Sequence, residues 1–178
     1  MSEERYFSKA YIICLFISIA FIFSALIFGS YEGYSVDFET ANQTLTAIEQ
    51  ERQVITVSSI FFNNFELTLV TFIPFIGLFW EFFVTFNTGY FIGQLAKATG
   101  MNNVLYVSLL VTHPVGVIEF TAYVFVLAES LVLINSLFKH EFRERLTKQS
   151  WKTFLLATAL LFIGAVIECY LIRGDIIF

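Results

Sequence analysis

The run from Val104 to Phe138 constrains this chain more than any other feature: thirty-five residues without Lys or Arg, in which only His113, Glu119 and Glu129 can carry charge near neutral pH. A hydrocarbon core about 30 Å thick needs roughly 20 helical residues, so the run is too long for one ordinary span. It contains no polar loop that would divide it into two. The divider is therefore His113-Pro114-Val115-Gly116. Pro114 has no N–H and drives His113 away from helical dihedrals, while Gly116 permits a tight reversal or close packing.

Composition fixes the class. The chain is 57% hydrophobic and 19% aromatic, well above the roughly 45–50% apolar content of soluble domains. Its apolar runs are near 20 residues long and lack strict alternation, which favours helices over a closed barrel as the way to satisfy backbone groups in lipid. The expected fold is all-α, a polytopic transmembrane helical bundle of about five membrane segments, one of them broken or re-entrant near Pro114. Residues 1–178 read as a single integral membrane domain. Cys14 and Cys169 lie in apolar runs without metal-ligand spacing and read as small buried hydrophobes.

Ala10 to Gly29 carries no charge and reads as a retained first helix, too long for the apolar core of a signal peptide. Ser30 to Ser59 is the one long polar segment, with Glu32, Asp37, Glu39, Glu49 and Glu51 against Arg52. Leu45, Ile48 and Ile55 recur near helical spacing, and Asp37 or Thr40 could cap the start. The segment is either an amphipathic helix on the membrane or bundle, or a solvated connector. Ile60 to Phe86 reads as a second span kinked at Pro74. Asn63-Asn64 stands at its entrance and Asn87-Thr88-Gly89 at its end. Gly89 and Gly93 form a small-xxx-small pair, suited to packing within the chain or to a dimer seam. Gln94 to Asn103 reads as a connector, and Thr153 to Ile172 as the last span.

Lys139, Arg143, Arg145, Lys148 and Lys152 make residues 139–152 a basic loop. The excess of Lys and Arg in cytoplasmic loops places this loop and Lys97 inside and residues 30–59 outside. The multi-pass chain then has a cytoplasmic N-terminus and an extracytoplasmic C-terminus.

Five carboxylates, Glu66, Glu81, Glu119, Glu129 and Glu168, lie in apolar segments without a companion base. A charge at a helix centre costs roughly 2.5–3.5 kcal/mol on insertion scales, so each must be neutral, near an interface, in a wet cavity or paired. Glu66, Glu129 and Glu168 fall near span ends. Glu119 is either a protonated acid bonded to a carbonyl freed by Pro114, a partner of His113, or part of a proton- or cation-handling site with His113, Glu81 and Asn87. The candidate polar site is thus His113, Pro114, Gly116, Glu119, Glu81 and Asn87. No catalytic residues, metal ligands or cofactor are assigned. There is no nucleophile elbow, H-E-x-x-H, P-loop or dinucleotide turn, and the one modest basic loop gives little reason to expect nucleic-acid binding.

The order of features from Asn63 to Ile172 resembles the stage II sporulation protein M family. Asn63-Asn64 matches its Asn-rich span entry, and Asn87-Thr88-Gly89 with Gly93 its Asn-Gly-x-x-x-Gly turn. Pro114, Gly116 and Glu119, with Ala122 after them, match its Pro-His-Gly-x-x-Glu run. Val115 stands where the family has His, and His113 lies on the other side of Pro114. The resemblance implies a non-enzymatic membrane scaffold that recruits partner proteins such as cell-wall hydrolases. Separately from it, the chain is expected to contact membrane lipids and to form a homo-oligomer, a dimer in the simplest case. The intramembrane acids support a second reading, a small oligomeric transporter or channel subunit for protons or cations.

Overall fold

The computed structural model describes residues 9–52 and 54–173. Among these every regular element is helical. They are α1 (Lys9–Tyr34), α2 (Phe38–Glu51), α3 (Val57–Thr71), α4 (Ile76–Ala98), α5 (Asn103–Thr112), α6 (Pro114–Phe138), α7 (Phe142–Arg145) and α8 (Trp151–Arg173). One turn of π-helix, Leu146–Ser150, joins α7 to α8 and makes Phe142–Arg173 a continuous helix of 32 residues. The all-α bundle expected from the sequence is what forms. The stretches assigned to the chain's two tails, before Lys9 and after Arg173, lie outside the described residues.

Among the described residues three helices, Lys9–Tyr34, Pro114–Phe138 and Phe142–Arg173, are long and apolar enough to cross a membrane. Their outward faces carry large apolar side chains. Phe16, Phe138 and Tyr170 are 69%, 75% and 73% exposed, an arrangement that water would penalise and lipid does not. The chain is an integral membrane protein.

Packing orients the helices. Gly89 backs onto Leu26, Gly93 onto Ser30, and the Lys97 ammonium lies 5.6 Å from the Tyr34 ring, so α4 runs parallel to α1. The pairs Phe23–Phe120, Ile22–Leu127 and Tyr11–Ala128 run the other way, so α6 is antiparallel to both. The α1–α4 seam is close-packed along two helical turns of each helix. A Cβ on Gly29, Gly33, Gly89 or Gly93 would lie 1.8–2.1 Å from a carbonyl oxygen of the facing helix. Two glycine pairs interlock so closely that backbone meets backbone, the intrachain form of small-residue packing. Gly89 and Gly93 are thereby spent inside one chain and do not supply a dimer seam.

Three sequence assignments need correction. The segment Ile60 to Phe86 is not one kinked span. At Pro74 the chain breaks into α3 and α4, with Phe75 at φ 64° and the Ile76 N–H closing onto the Pro74 carbonyl at 2.8 Å. Nor does α4 stop at Asn87: Asn87 and Thr88 return their polarity to the carbonyls of Phe83 and Val84, and the helix continues to Ala98. Lastly, residues 139–152 are not a loop, because the chain is helical again from Phe142. This basic segment lies near Tyr11, at the end of α1 opposite Tyr34 and Lys97. Lys97 and the basic segment therefore do not share a side.

The polar segment does hold a helix. The Asp37 carboxylate accepts from the Thr40 N–H at 2.9 Å and caps α2. These bonds hold the Asp37 carboxyl below its ordinary range, the backbone bond from Thr40 first. Ala41 is buried against the bundle, and Thr44 hydrogen-bonds Gln94 near the end of α4.

Candidate functional site

Two of the helix breaks follow one plan. In the first, α3 ends at Thr71, Pro74 breaks the chain, and Gly77 opens α4 so close to the Thr71 carbonyl that a Cβ would lie 1.9 Å from it. In the second, α5 ends at Thr112, Pro114 starts α6, and a Cβ on Gly116 would lie 2.0 Å from the Leu110 carbonyl. In both, glycine backs onto the carbonyl six residues upstream. Each unit pairs a shorter helix, of 15 or 10 residues, with a longer one of 23 or 25. About one turn beyond the glycine, each long helix carries an acid: Glu81 four residues after Gly77, Glu119 three after Gly116. Because α4 and α6 are antiparallel, the two units are inverted with respect to one another.

The side chains then sort themselves. All the buried residues of α3, namely Asn64, Thr68 and Thr71, lie on one face and can only meet partners inside the bundle. Asn64 donates to Glu119 Oε1 at 2.6 Å. Thr71 donates to Glu81 Oε2 at 2.9 Å, and Thr85 to Glu81 Oε1 at 3.0 Å. Glu81 is 2% exposed and Glu119 is partly buried. Glu119 also flanks Gly164 of α8, its Cγ 3.4 Å from where a Cβ would stand, and Glu168 one turn further along α8 lies within electrostatic reach. Tyr123, one turn along α6 from Glu119, packs against the core clusters that hold Leu161 and Ala157 of α8 and Leu127 of its own helix.

A second polar node lies at the end of the bundle near Tyr11. Glu129 is fully buried and receives a bidentate pair from Arg145, Nε to Oε1 at 2.8 Å and Nη2 to Oε2 at 2.7 Å. Ser150 adds a bond to Oε1 at 2.7 Å, and Arg145 also hydrogen-bonds Gln149. The π turn between Arg145 and Ser150 delivers side chains five residues apart to one carboxylate, a use for which such bulges recur. The Arg145 guanidinium lies 5.7 Å from the Tyr11 ring. Glu129 was expected at a lipid–water boundary without a base; it is instead an interior ion pair.

The six residues grouped by sequence therefore do not form one constellation. Glu119, Pro114 and Gly116 share the second break, and His113 supplies its extended residue at ψ 141°. Glu81 belongs to the other break. Asn87 is exposed and bonded to its own helix. Glu66 is also exposed, off the polar face of α3. Sequence reasoning missed Asn64 as the partner of Glu119, along with Thr68, Thr71, Thr85 and Arg145. The available signal was the helical spacing of Asn64, Thr68 and Thr71 in an otherwise apolar segment. Among the described residues no group of three or more His, Cys, Asp or Glu could hold a metal ion.

A family model described as Stage II sporulation protein M matches residues 12–171. The match extends the resemblance seen from Asn63 onward back through α2 and most of α1. No curated protein and no solved structure matches the chain.

Proposed function

This chain belongs to the stage II sporulation protein M family, and from that premise we propose that it is a non-enzymatic membrane scaffold whose α2 is the docking platform for a partner protein. The observation that carries this reading is the placement of α2. It is capped by Asp37, seated by Ala41 and the Thr44–Gln94 bond, and held at the end of the bundle where α1 and α4 finish. Its remaining face is open, a shallow groove lined by Phe38, Asn42, Gln43, Thr46 and Gln50. A rigid helix with one free polar face gives a partner a preorganised surface, which lowers the ordering cost of association.

The same packing supports five crossings, by α1, α3, α4, α6 and α8, the number expected from the sequence but differently placed. The basic segment 139–152 lies at the α1 start, and the acidic α2 at the α1 end. With the basic segment cytoplasmic, α2 and Lys97 face outward, the N-terminus is inside and the C-terminus outside.

Photo-crosslinking from Gln43 and Gln50 in native membranes tests the scaffold. The expected result is a discrete adduct from these positions, either with another protein or with a second copy of the chain. Probes on the lipid-facing Phe162 of α8 should not give it, and Thr44→Arg, which unseats α2, should abolish it. Equal labelling from all positions, or none from α2, refutes the platform.

A further inference from the structure

The scaffold reading leaves the inside of the bundle unused, and of the two fully buried hydroxyls without a partner among the described residues, Ser18 and Thr68, the second lies on the helix face that holds both acids. Thr68 is fully buried and its hydroxyl has no hydrogen-bond partner. Threonines in these helices ordinarily return the hydroxyl to a carbonyl one turn back, as Thr121 does to Val117 and Thr158 to Phe154. Thr68 does not. It sits between Asn64 and Thr71 on the single buried face of α3, one of which holds Glu119 and the other Glu81. At 1.5 Å per residue, Thr68 is about 6 Å along the axis from Asn64 and about 4.5 Å from Thr71. On α6 the side chain one turn beyond Glu119 is Tyr123, which packs into the bundle core. A buried hydroxyl left unmatched costs free energy, and a bridging water with two to four polar partners removes that cost. Glu119, Tyr123, Thr68 and Glu81 supply such partners.

We propose that the two inverted helix-break units form a proton relay, with Glu119 and Glu81 as its carriers and the Thr68 hydroxyl, bridged by water, as the station between them. Each acid lies five residues inside the start of its long helix, about 7.5 Å from a break. Because the units are inverted, the Pro114 break opens from one side and the Pro74 break from the other, an arrangement in which irregular backbone is tolerated because it lines a polar cavity. In the transfer an O–H bond of the Glu119 carboxyl breaks and one forms on the bridging water. That water in turn releases a proton that bonds to a Glu81 carboxylate oxygen. One proton moves, no electrons are exchanged, and the reverse hops restore the start. The titratable groups facing the row are Glu119 and Tyr123 from α6, Glu81 from α4 and Glu168 from α8, while α3 contributes only Asn64, Thr68 and Thr71. No Lys or Arg stands among these groups. Balancing their charge falls to protons, which suits a relay better than a fixed ion pair.

The test uses the full chain in phosphatidylcholine vesicles with a trapped pH dye and a potassium diffusion potential set by valinomycin. The wild type should acidify vesicles faster than protein-free controls. Thr68→Val keeps the shape and removes the hydroxyl, and should slow the flux at least about tenfold; Thr68→Ser should restore it, and Glu81→Gln and Glu119→Gln should abolish it. Infrared difference spectra keep the idea falsifiable if flux and stability fall together. Thr68→Val should shift the carboxyl stretches that Glu81→Gln and Glu119→Gln remove, and Thr121→Val, whose hydroxyl bonds its own helix, should not. A wild type no faster than empty vesicles, Thr68→Val at wild-type flux, or unshifted carboxyl bands would overturn the relay and leave the scaffold reading untouched.

Discussion

Replacing Arg145 by Met separates a structural from an incidental ion pair, because the partner it abandons is wholly inside the protein. Glu129 is fully buried and takes two of its short bonds from this one guanidinium. After the substitution Ser150 still donates at 2.7 Å, but the Thr153 contact at 3.4 Å is too long to compensate. Stranding a buried charge in this way costs about 3–5 kcal/mol. The opposite change, Glu129→Leu, should cost less, about 1.5–3 kcal/mol for lost bonds to a charged group. Arg145 is 12% exposed, and its long stem lets the head reach water. The double variant strands nothing and should lie within about 1 kcal/mol of the wild type, since apolar replacement of a buried pair is often neutral. The cycle therefore yields a coupling of about 3 kcal/mol or more, at the upper end for contacting residues. Reversible unfolding in mixed micelles, followed by circular dichroism, measures all four proteins. Additive single effects, or an Arg145→Met cost under about 1 kcal/mol, would refute the argument.

Three further outcomes follow. Gly89→Val places side-chain atoms where even a Cβ would lie 2.1 Å from the Leu26 carbonyl; it should cost at least about 1–3 kcal/mol by overpacking, seen as a lowered unfolding midpoint, and an unchanged midpoint contradicts the seam. Gly116→Ala drives a Cβ to 2.0 Å from the Leu110 carbonyl and should shift the α5–α6 junction, read as altered proteolysis or cysteine accessibility around Thr112, whereas Gly100→Ala should leave that junction unaltered. Asp37 has its folded pKa below the unfolded value, so its contribution to α2 is present above the ordinary carboxyl range and disappears as pH falls through the folded value. Protection of the Phe38 to Thr44 amides, taken relative to the intrinsic exchange rate at each pH, should fall on acidification below about pH 4, and an Asp37→Asn control should flatten that response.

The break at Pro114 was legible because a long apolar run with one proline and no polar loop admits few alternatives. The capped helix after Asp37 was legible from a short-range rule about orphan N–H groups. Pro74 was harder: membrane helices often pass through a proline with a kink, and the positive φ at Phe75 that turns a kink into a break leaves no local signature. The end of α4 was misread because Asn87, Thr88 and Gly89 are turn formers by type, yet two hide their polarity on the preceding turn and the third packs on α1. The partners of the acids were the least visible. Asn64 and Glu119 are 55 residues apart and Arg145 and Glu129 are 16 apart, and only the folded bundle joins them.

The glycine seam between α1 and α4 also orders the chain's synthesis. The ribosome delivers α1 first, and the glycine rows that receive it, at Gly89 and Gly93, emerge only after α2, α3 and the Pro74 break. Until then α1 has its glycine face, Gly29 and Gly33, uncovered, and is held by its apolar flanks alone. Parallel helices cannot close by a simple hairpin, so α3 must run back along the bundle before α4 can shut the seam. A defect in the seam would therefore leave an unassembled intermediate with its glycine rows uncovered, for membrane quality control to recognise.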